Sequence, residues 1–347
     1  MRTIKTALLS YGMSGKIFHA PFIAAHPGFQ LAGAWERSHK NIQLDYPEVT
    51  SYPTLQAVLA DETIELVIVN TPNDSHFDYA RQALLANKHV VVEKAFTTTV
   101  AEGEMLKALA EKQQKKISVY QNRRFDSDCR TVKKVVDENL LGEIIEAEFH
   151  YDRFKPIVGP KAHKETPGPG AGLLMDLGPH LIDQAIHIFG MPQALFADIC
   201  ITRPLSKVDD WFDIQLYYPA LRVRLKAGNI VREAIPANIV HGIKGSFIKS
   251  RGDVQEADLL AGKIPGESNW GIEPEYGGGL LHTESDGIII REIIKSSRGN
   301  YGDFYEGIYQ ALTAEQPLPV SAEEGIRIIK IIETAILSNK EKRVVEV

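Results

Sequence analysis

Short, almost uninterrupted apolar runs alternate with helical stretches through the first third of the chain, and this alternation constrains the fold more than any other feature. Residues 3–9, 29–35, 64–70, 89–92 and 117–121 read as strands. Helical stretches are predicted from Lys16, over 54–60, from a cap at Asp74 to Leu85, and over 99–114. The last of these opens on Thr99-Val100-Ala101-Glu102, a capping box in which the threonine hydroxyl and the glutamate satisfy two orphan backbone N–H groups. Strands that are apolar on both faces must be covered on both faces, which a parallel sheet flanked by helices achieves. Right-handed crossovers then leave a doubly wound α/β sheet as the simplest topology.

The texture changes after about residue 123. Residues 126–139 read as helix and 143–154 as a long alternating strand. Residues 155–172 are rich in Pro and Gly, carry Lys155, Lys161 and Lys164, and read as a loop. Gly178 and Pro179 precede a predicted helix to about Phe189. Strand-like stretches near 194–203, 211–217, 221–227, 238–243 and 246–250 are joined by short turns, the pattern of a mostly antiparallel sheet. Residues 262–279 hold six glycines and read as a mobile loop. Ser321-Ala322-Glu323-Glu324 is a second capping box, opening a last helix of about 321–339. At roughly 150 residues per domain the length of 347 residues fits two domains, placed at 1–122 and 123–347, with the last helix expected to pack back on the first.

The net charge of −6 argues against a nucleic-acid partner, which needs a positive field. Apolar runs such as Val90-Val91-Val92 fall far short of the ~18 residues that a membrane helix requires. The first residues carry no small-residue cleavage signal. Two cysteines, Cys129 and Cys200, give neither a disulfide framework nor a CxxC metal site. The expectation is a cytoplasmic protein.

Four constellations carry chemistry. The first is the turn Ser10-x-Gly12-Met13-Ser14-Gly15 between a strand and a helix, where glycines let the backbone approach a pyrophosphate and the helix N-terminus stabilises its charge. Glu36, 21 residues past Gly15, ends the second strand, where a carboxylate accepts hydrogen bonds from the adenosine ribose. It favours NAD; the adjacent Arg37 and Ser38 are the elements that would pair with the 2′-phosphate of NADP. The second is Asn70-Thr71-Pro72-Asn73-Asp74-x-His76 after the third strand, at the ligand edge of the sheet. Turn chemistry explains Pro72 and Asp74 but requires neither Thr71 nor His76. The third is Val92-Glu93-Lys94-Ala95, whose ammonium at a strand end can stabilise an alkoxide. The fourth is Asp176-x-Gly178-x-His180-x-x-Asp183-x-x-x-His187. With a helix from Pro179, His180, Asp183 and His187 share a face. Proton transfer, a divalent metal site, and simple capping and packing are the three readings of that face.

On these residues the chain resembles the glucose-fructose oxidoreductase / inositol dehydrogenase / MocA family of NAD(P)-dependent oxidoreductases. The stretches Gly15-Lys16-Ile17-Phe18-His19-Ala20-Pro21-Phe22, Tyr120-Gln121-Asn122-Arg123-Arg124-Phe125-Asp126, His180-Leu181-Ile182-Asp183-Gln184 and Asn300-Tyr301 with Phe304-Tyr305 are similar to its scyllo-inositol dehydrogenase-like branch. The resemblance implies a Rossmann domain followed by an α/β domain on an open mixed sheet, whose free face makes homodimer or homotetramer contacts. It implies that Lys94, Asp176 and His180 are catalytic, and that Lys94, Arg124, Asp176, His180 and Asp183 meet the substrate. Gly12, Met13, Ser14, Gly15, Glu36, Arg37, Thr71, Pro72, Asn73, His76, Glu93, Lys94 and Asn122 would hold NAD or NADP, with no metal. The implied reaction moves a hydride between nicotinamide C4 and a secondary alcohol of a sugar, an inositol-like polyol or an anionic sugar derivative. A non-catalytic nicotinamide-binding regulator of the same fold and a metal-dependent lyase or hydrolase are the alternatives.

The chain departs from the family pattern in four places. Ser10 replaces the first glycine, Ala95 the proline after Lys94 (where the peptide bond is often cis), and Met175 a tyrosine. Residues 155–172 lack an Arg-Trp-Arg run and read Lys161-Ala162-His163-Lys164, which makes the loop a candidate lid or anion contact.

Overall fold

The computed structural model describes residues 2–37, 39–159 and 162–347. Ser38 and Lys161, named above for the 2′-phosphate and for the cationic loop, lie outside the described residues. The chain divides into two compact units. One comprises Met1–Asn122, Gln255–Trp270 and Asn300–Ile326; the other Arg123–Val254, Gly271–Gly299 and Arg327–Val347.

The first unit is built on a parallel sheet of six strands: β1 (Ile4–Leu8), β2 (Phe29–Trp35), β3 (Thr50–Tyr52), β4 (Leu66–Val69), β5 (His89–Glu93) and β6 (Ile117–Tyr120). Their order is β3-β2-β1-β4-β5-β6, and every pairing is parallel. This is the doubly wound order, with its reversal between β1 and β4, where ligands bind beyond the strands' carboxyl ends. The four residues of β4 and of β6 are all buried, as strands covered on both faces must be. β3 has no apolar signature; it pairs three residues with Gly33, Ala34 and Trp35. The capping box at Thr99 forms as expected and starts the helix Val100–Lys112.

The second unit is built on nine strands: β7 (Ile144–Asp152), β8 (Ala194–Cys200), β9 (Trp211–Tyr217), β10 (Arg222–Gly228), β11 (Asn238–Gly242), β12 (Gly245–Lys249), β13 (Gly279–Ser285), β14 (Ile288–Ile294) and β15 (Val345–Glu346). Their order is β14-β13-β12-β11-β7-β10-β9-β8-β15. Only β7 with β10 is parallel, so the sheet is mixed and mostly antiparallel. Val223, Leu225, Phe212, Ile214, Leu216 and Phe247 point to the buried face. The other face is open. One cross-strand row on it reads Ile293, Leu280, Ile248, Ile239, Glu148, Arg224, Gln215, Phe196.

Helix Leu173–Phe189 begins six residues before Pro179, so Pro179 lies inside it. The cause is a cap from far along the chain. The Leu174 N–H donates to Asp209 Oδ2 at 2.7 Å, and the Leu173 N–H to the Asp209 carbonyl at 2.8 Å. These satisfy donors that the first helical turn leaves orphaned, while Leu173, Leu174 and Leu177 are buried. Gly172 precedes the helix at φ 91°, and a Cβ there would meet Asp209 Oδ1 at 2.0 Å. No described helix is long and apolar enough to cross a membrane.

Candidate active site

In the first unit the predicted cofactor residues gather at the carboxyl ends of the parallel strands. After β1, Gly15 is the glycine of close packing: a Cβ there would meet the Ser10 carbonyl oxygen at 2.4 Å and Asn70 Nδ2 at 2.9 Å. Ser10 closes the turn with its side chain, its Oγ accepting the Gly12 N–H at 3.2 Å. Gly12 and Met13 are exposed. After β2, Glu36 turns its carboxylate into the following loop. Oε1 accepts the Asn41 N–H and Oε2 the Ile42 N–H, both at 3.0 Å. Arg37 is exposed and lines a cleft of about 380 Å³ with Trp35, Thr54 and Tyr79.

After β4, Thr71, Pro72 and Asn73 are half-buried. His76 is fully buried, and its ring nitrogens lie 2.8 Å from the carbonyl oxygens of Ala95 and Thr71. It therefore ties the segment after β4 to the segment after β5. Burial holds its pKa below the ordinary imidazole range, although the two carbonyls pull the other way.

Glu93 and Lys94 end β5. Glu93 Oε1 accepts the Ser14 hydroxyl at 2.5 Å and lies 3.0 Å from His19 Nε2, while Oε2 accepts the Lys94 N–H at 3.1 Å. Burial raises the Glu93 carboxyl, but His19, Ser14 and the Lys94 charge outweigh it and bring the pKa down to about 2. The Lys94–Ala95 peptide bond is cis. Asn122, buried, opens the turn after β6.

Two residues not assigned from sequence complete this edge. Asn70 follows β4 and donates to the Ser10 carbonyl at 2.8 Å, yet its Oδ1 is buried without a protein partner. Gln121 follows β6 with both amide atoms in the same condition. Buried amide groups are ordinarily satisfied, so these atoms call for a polar ligand. Orphaned donors and acceptors, a close-packed glycine turn and an exposed guanidinium fit a pyridine dinucleotide.

In the second unit, the early helix start places Asp176, His180, Asp183 and His187 along one face at i, i+4, i+7 and i+11. Asp183 and Arg124 are buried and pair with each other in a fork, Nη2 to Oδ1 at 2.6 Å and Nε to Oδ2 at 3.1 Å. Asp176 accepts Lys164 Nζ at 2.6 Å and lies 3.7 Å from Arg153 Nη1. The His180 ring is 6.5 Å from that of Tyr151, over which Arg153 sits at 4.7 Å.

Sequence reasoning missed the anchor of the loop that carries Lys164. Arg203, 3% exposed, donates to Glu165 Oε2 at 2.9 Å and to Asp210 Oδ2 at 2.8 Å. No local signal marks that pairing. Among the described residues no group of three or more His, Cys, Asp and Glu side chains is arranged to hold a metal ion.

A fold of this topology with this site edge defines a class of dinucleotide-linked oxidoreductases, and comparison with known proteins agrees. A family model described as "Oxidoreductase family, NAD-binding Rossmann fold" matches residues 4–121, and its companion "Oxidoreductase family, C-terminal alpha/beta domain" matches residues 133–347. The chain belongs to the GFO/IDH/MocA family of oxidoreductases. It is 38% identical over 344 residues to scyllo-inositol 2-dehydrogenase (NADP(+)) of Bacillus subtilis, covering 99% of this chain and 96% of the relative. An uncharacterized oxidoreductase of Escherichia coli is 38% identical, covering 98% and 97%. A crystal structure of a protein from Bacteroides fragilis matches with a TM-score of 0.92 and 44% identity over 100% of both chains.

Proposed function

We propose that this protein is a reversible NAD(P)-dependent dehydrogenase acting on a secondary alcohol of a sugar, an inositol-like polyol or an anionic sugar derivative. The observation that carries the reading is the carboxyl edge of the parallel sheet. Lys94 stands there between Asn70, whose Oδ1 is buried without a protein partner, and Gln121, whose Oε1 and Nε2 both are. The bound nicotinamide supplies the hydride acceptor or donor. Every other task falls to side chains. In the oxidation direction His180 takes the hydroxyl proton, Lys94 holds the incipient alkoxide, and Asp176 orients the imidazole or a substrate hydroxyl. Asn122, Arg124 and Asp183 complete the surroundings, with Arg124 and Asp183 acting through their mutual pair. Lys164 and Arg153 beside Asp176 give that part of the site cationic groups, which favours a substrate bearing a carboxylate, phosphate or sulfonate.

NADP is the preferred dinucleotide in this reading. The carboxylate of Glu36 is committed to the Asn41 and Ile42 amides at the start of the helix Ile42–Asp45, the Arg37 guanidinium is exposed at the same strand end, and the Bacillus subtilis relative is NADP-linked. The protein is cytoplasmic and forms a homodimer or homotetramer through the open face of the second sheet. The test is a panel of inositols, sugars and sugar acids, each with NAD and NADP, followed by nicotinamide absorbance. Turnover with at least one polyol or sugar acid is expected. Dinucleotide binding with no turnover on the whole panel would favour the regulator, and activity abolished by a chelator and restored by Zn²⁺ would favour the metal-dependent alternative.

A further inference from the structure

Behind the glycine turn lies a chain of polar side chains that the mechanism above does not use. His19 is fully buried, ending the wide helical turn Ser14–His19. Its Nε2 faces Glu93 Oε1 at 3.0 Å and its Nδ1 faces the Tyr305 hydroxyl at 2.5 Å. Tyr305, on helix Gly302–Thr313, is fully buried too. The His19 ring lies 4.5 Å from the ring of Tyr120, whose hydroxyl donates to the Phe18 carbonyl at 2.8 Å. Nε2 donates to the carboxylate, so in the neutral ring Nδ1 accepts, and the Tyr305 hydroxyl is its donor.

The chain does not end at Glu93. The same carboxylate takes the Ser14 hydroxyl from the glycine turn and the Lys94 N–H from the end of β5. One half-buried anion thus joins the segment that would cradle the pyrophosphate to the residue that would hold the alkoxide. A carboxylate that serves two loops must itself be held still, and His19 supplies the side-chain donor from behind.

We propose that His19, oriented by Tyr305, is a positioning residue that fixes Glu93 and through it the relative placement of the Ser14 turn and Lys94. The inference rests on the dinucleotide-binding reading. It adds two residues, His19 and Tyr305, that act through Glu93. Glu93 feels the charges of His19 and Lys94 and in turn acts on His76 and Tyr305.

The experiment measures the Kd for NADPH and NADH by ligand fluorescence in the full-length protein and in His19→Leu, His19→Gln and Tyr305→Phe. Glutamine carries an amide N–H near the place of Nε2; leucine fills the volume and donates nothing. His19→Leu should weaken binding of the preferred dinucleotide about tenfold or more, as expected when a donor to a charged group is lost. His19→Gln should recover to within about threefold, and Tyr305→Phe should fall between the two, since it loses only the hydrogen bond that orients the ring. Leucine and glutamine variants that bind equally well, or a leucine variant that binds like the parent, would reduce His19 to packing and overturn the proposal. If His19→Leu does not fold, Tyr305→Phe decides: a folded variant with unchanged Kd overturns it. A parent protein that binds neither dinucleotide is a separate result, which removes the functional reading beneath.

Discussion

Glu36 and Arg37 stand side by side at the end of β2, but only the guanidinium is exposed. With both Glu36 oxygens receiving the Asn41 and Ile42 amides at 3.0 Å, Arg37 is the side chain expected to read the adenosine ribose. Arg37→Ala should therefore raise the KM for NADP about tenfold or more, the size of a lost charge-assisted hydrogen bond, and leave the KM for NAD within about twofold. Steady-state kinetics with both dinucleotides checks this, and the opposite pattern would restore Glu36 as the selector. The pair shows what a sequence can carry at this scale. The residue types at strand ends were legible because glycine, carboxylate and lysine positions follow from the doubly wound topology. Side-chain direction was not, because the amides that capture Glu36 open the helix Ile42–Asp45, a single turn too short to leave a periodic signature. Asp183 makes the same point. Its carboxylate pairs with the Arg124 guanidinium in a fork, a pairing between distant positions that no local spacing marks.

At the scale of elements, the helix Leu173–Phe189 carries three of the proposed site residues, and its start depends on Gly172 and Asp209. Gly172→Ala forces an L side chain into φ 91° against the capping carboxylate. It should cost about 2 kcal/mol or more, combining backbone strain with a lost cap. Chemical denaturation measures that loss, and a stability equal to the parent's would show that the cap is dispensable. Strands buried on both faces announced themselves through their apolar runs. The helix start did not, since its cap lies well downstream in the chain. β13 and β14 were hidden too. The first follows a glycine-rich stretch, and the second is an exposed edge whose Ile288, Ile289 and Ile293 break the alternation that marks a half-buried strand. Lys249, at the end of β12, is 1% exposed and donates to Glu273 at 2.8 Å and to Ser296 at 2.9 Å. Lys249→Met strands a buried carboxylate and should destabilise by about 3–5 kcal/mol, while adding Glu273→Leu should recover much of that.

At the scale of the molecule, two histidines, buried His76 and half-buried His89, shape the response to acid. Burial lowers the pKa of His76, and burial with the Lys115 charge lowers that of His89 to about 4. The unfolded chain then takes up these protons first, so stability falls as pH drops below the ordinary histidine value of 6.5. Glu93 acts in a lower window. Its folded pKa of about 2 lies below the ordinary 4.5, so its contribution is complete above 4.5 and lost as pH falls toward 2. The Tm should fall between about pH 7 and pH 5, and His89→Gln should flatten that slope; an unchanged slope would remove His89 from the account. For the proposed assembly, Ile248→Glu on the open sheet face should convert the protein to its single-chain mass of 38.6 kDa in light scattering. The functional claim meets its most direct test at Lys94. The Lys94→Ala protein should bind the dinucleotide within about threefold of the parent and turn over the substrate at least about 100-fold more slowly. Turnover equal to the parent's would contradict the assignment of the alkoxide to that ammonium.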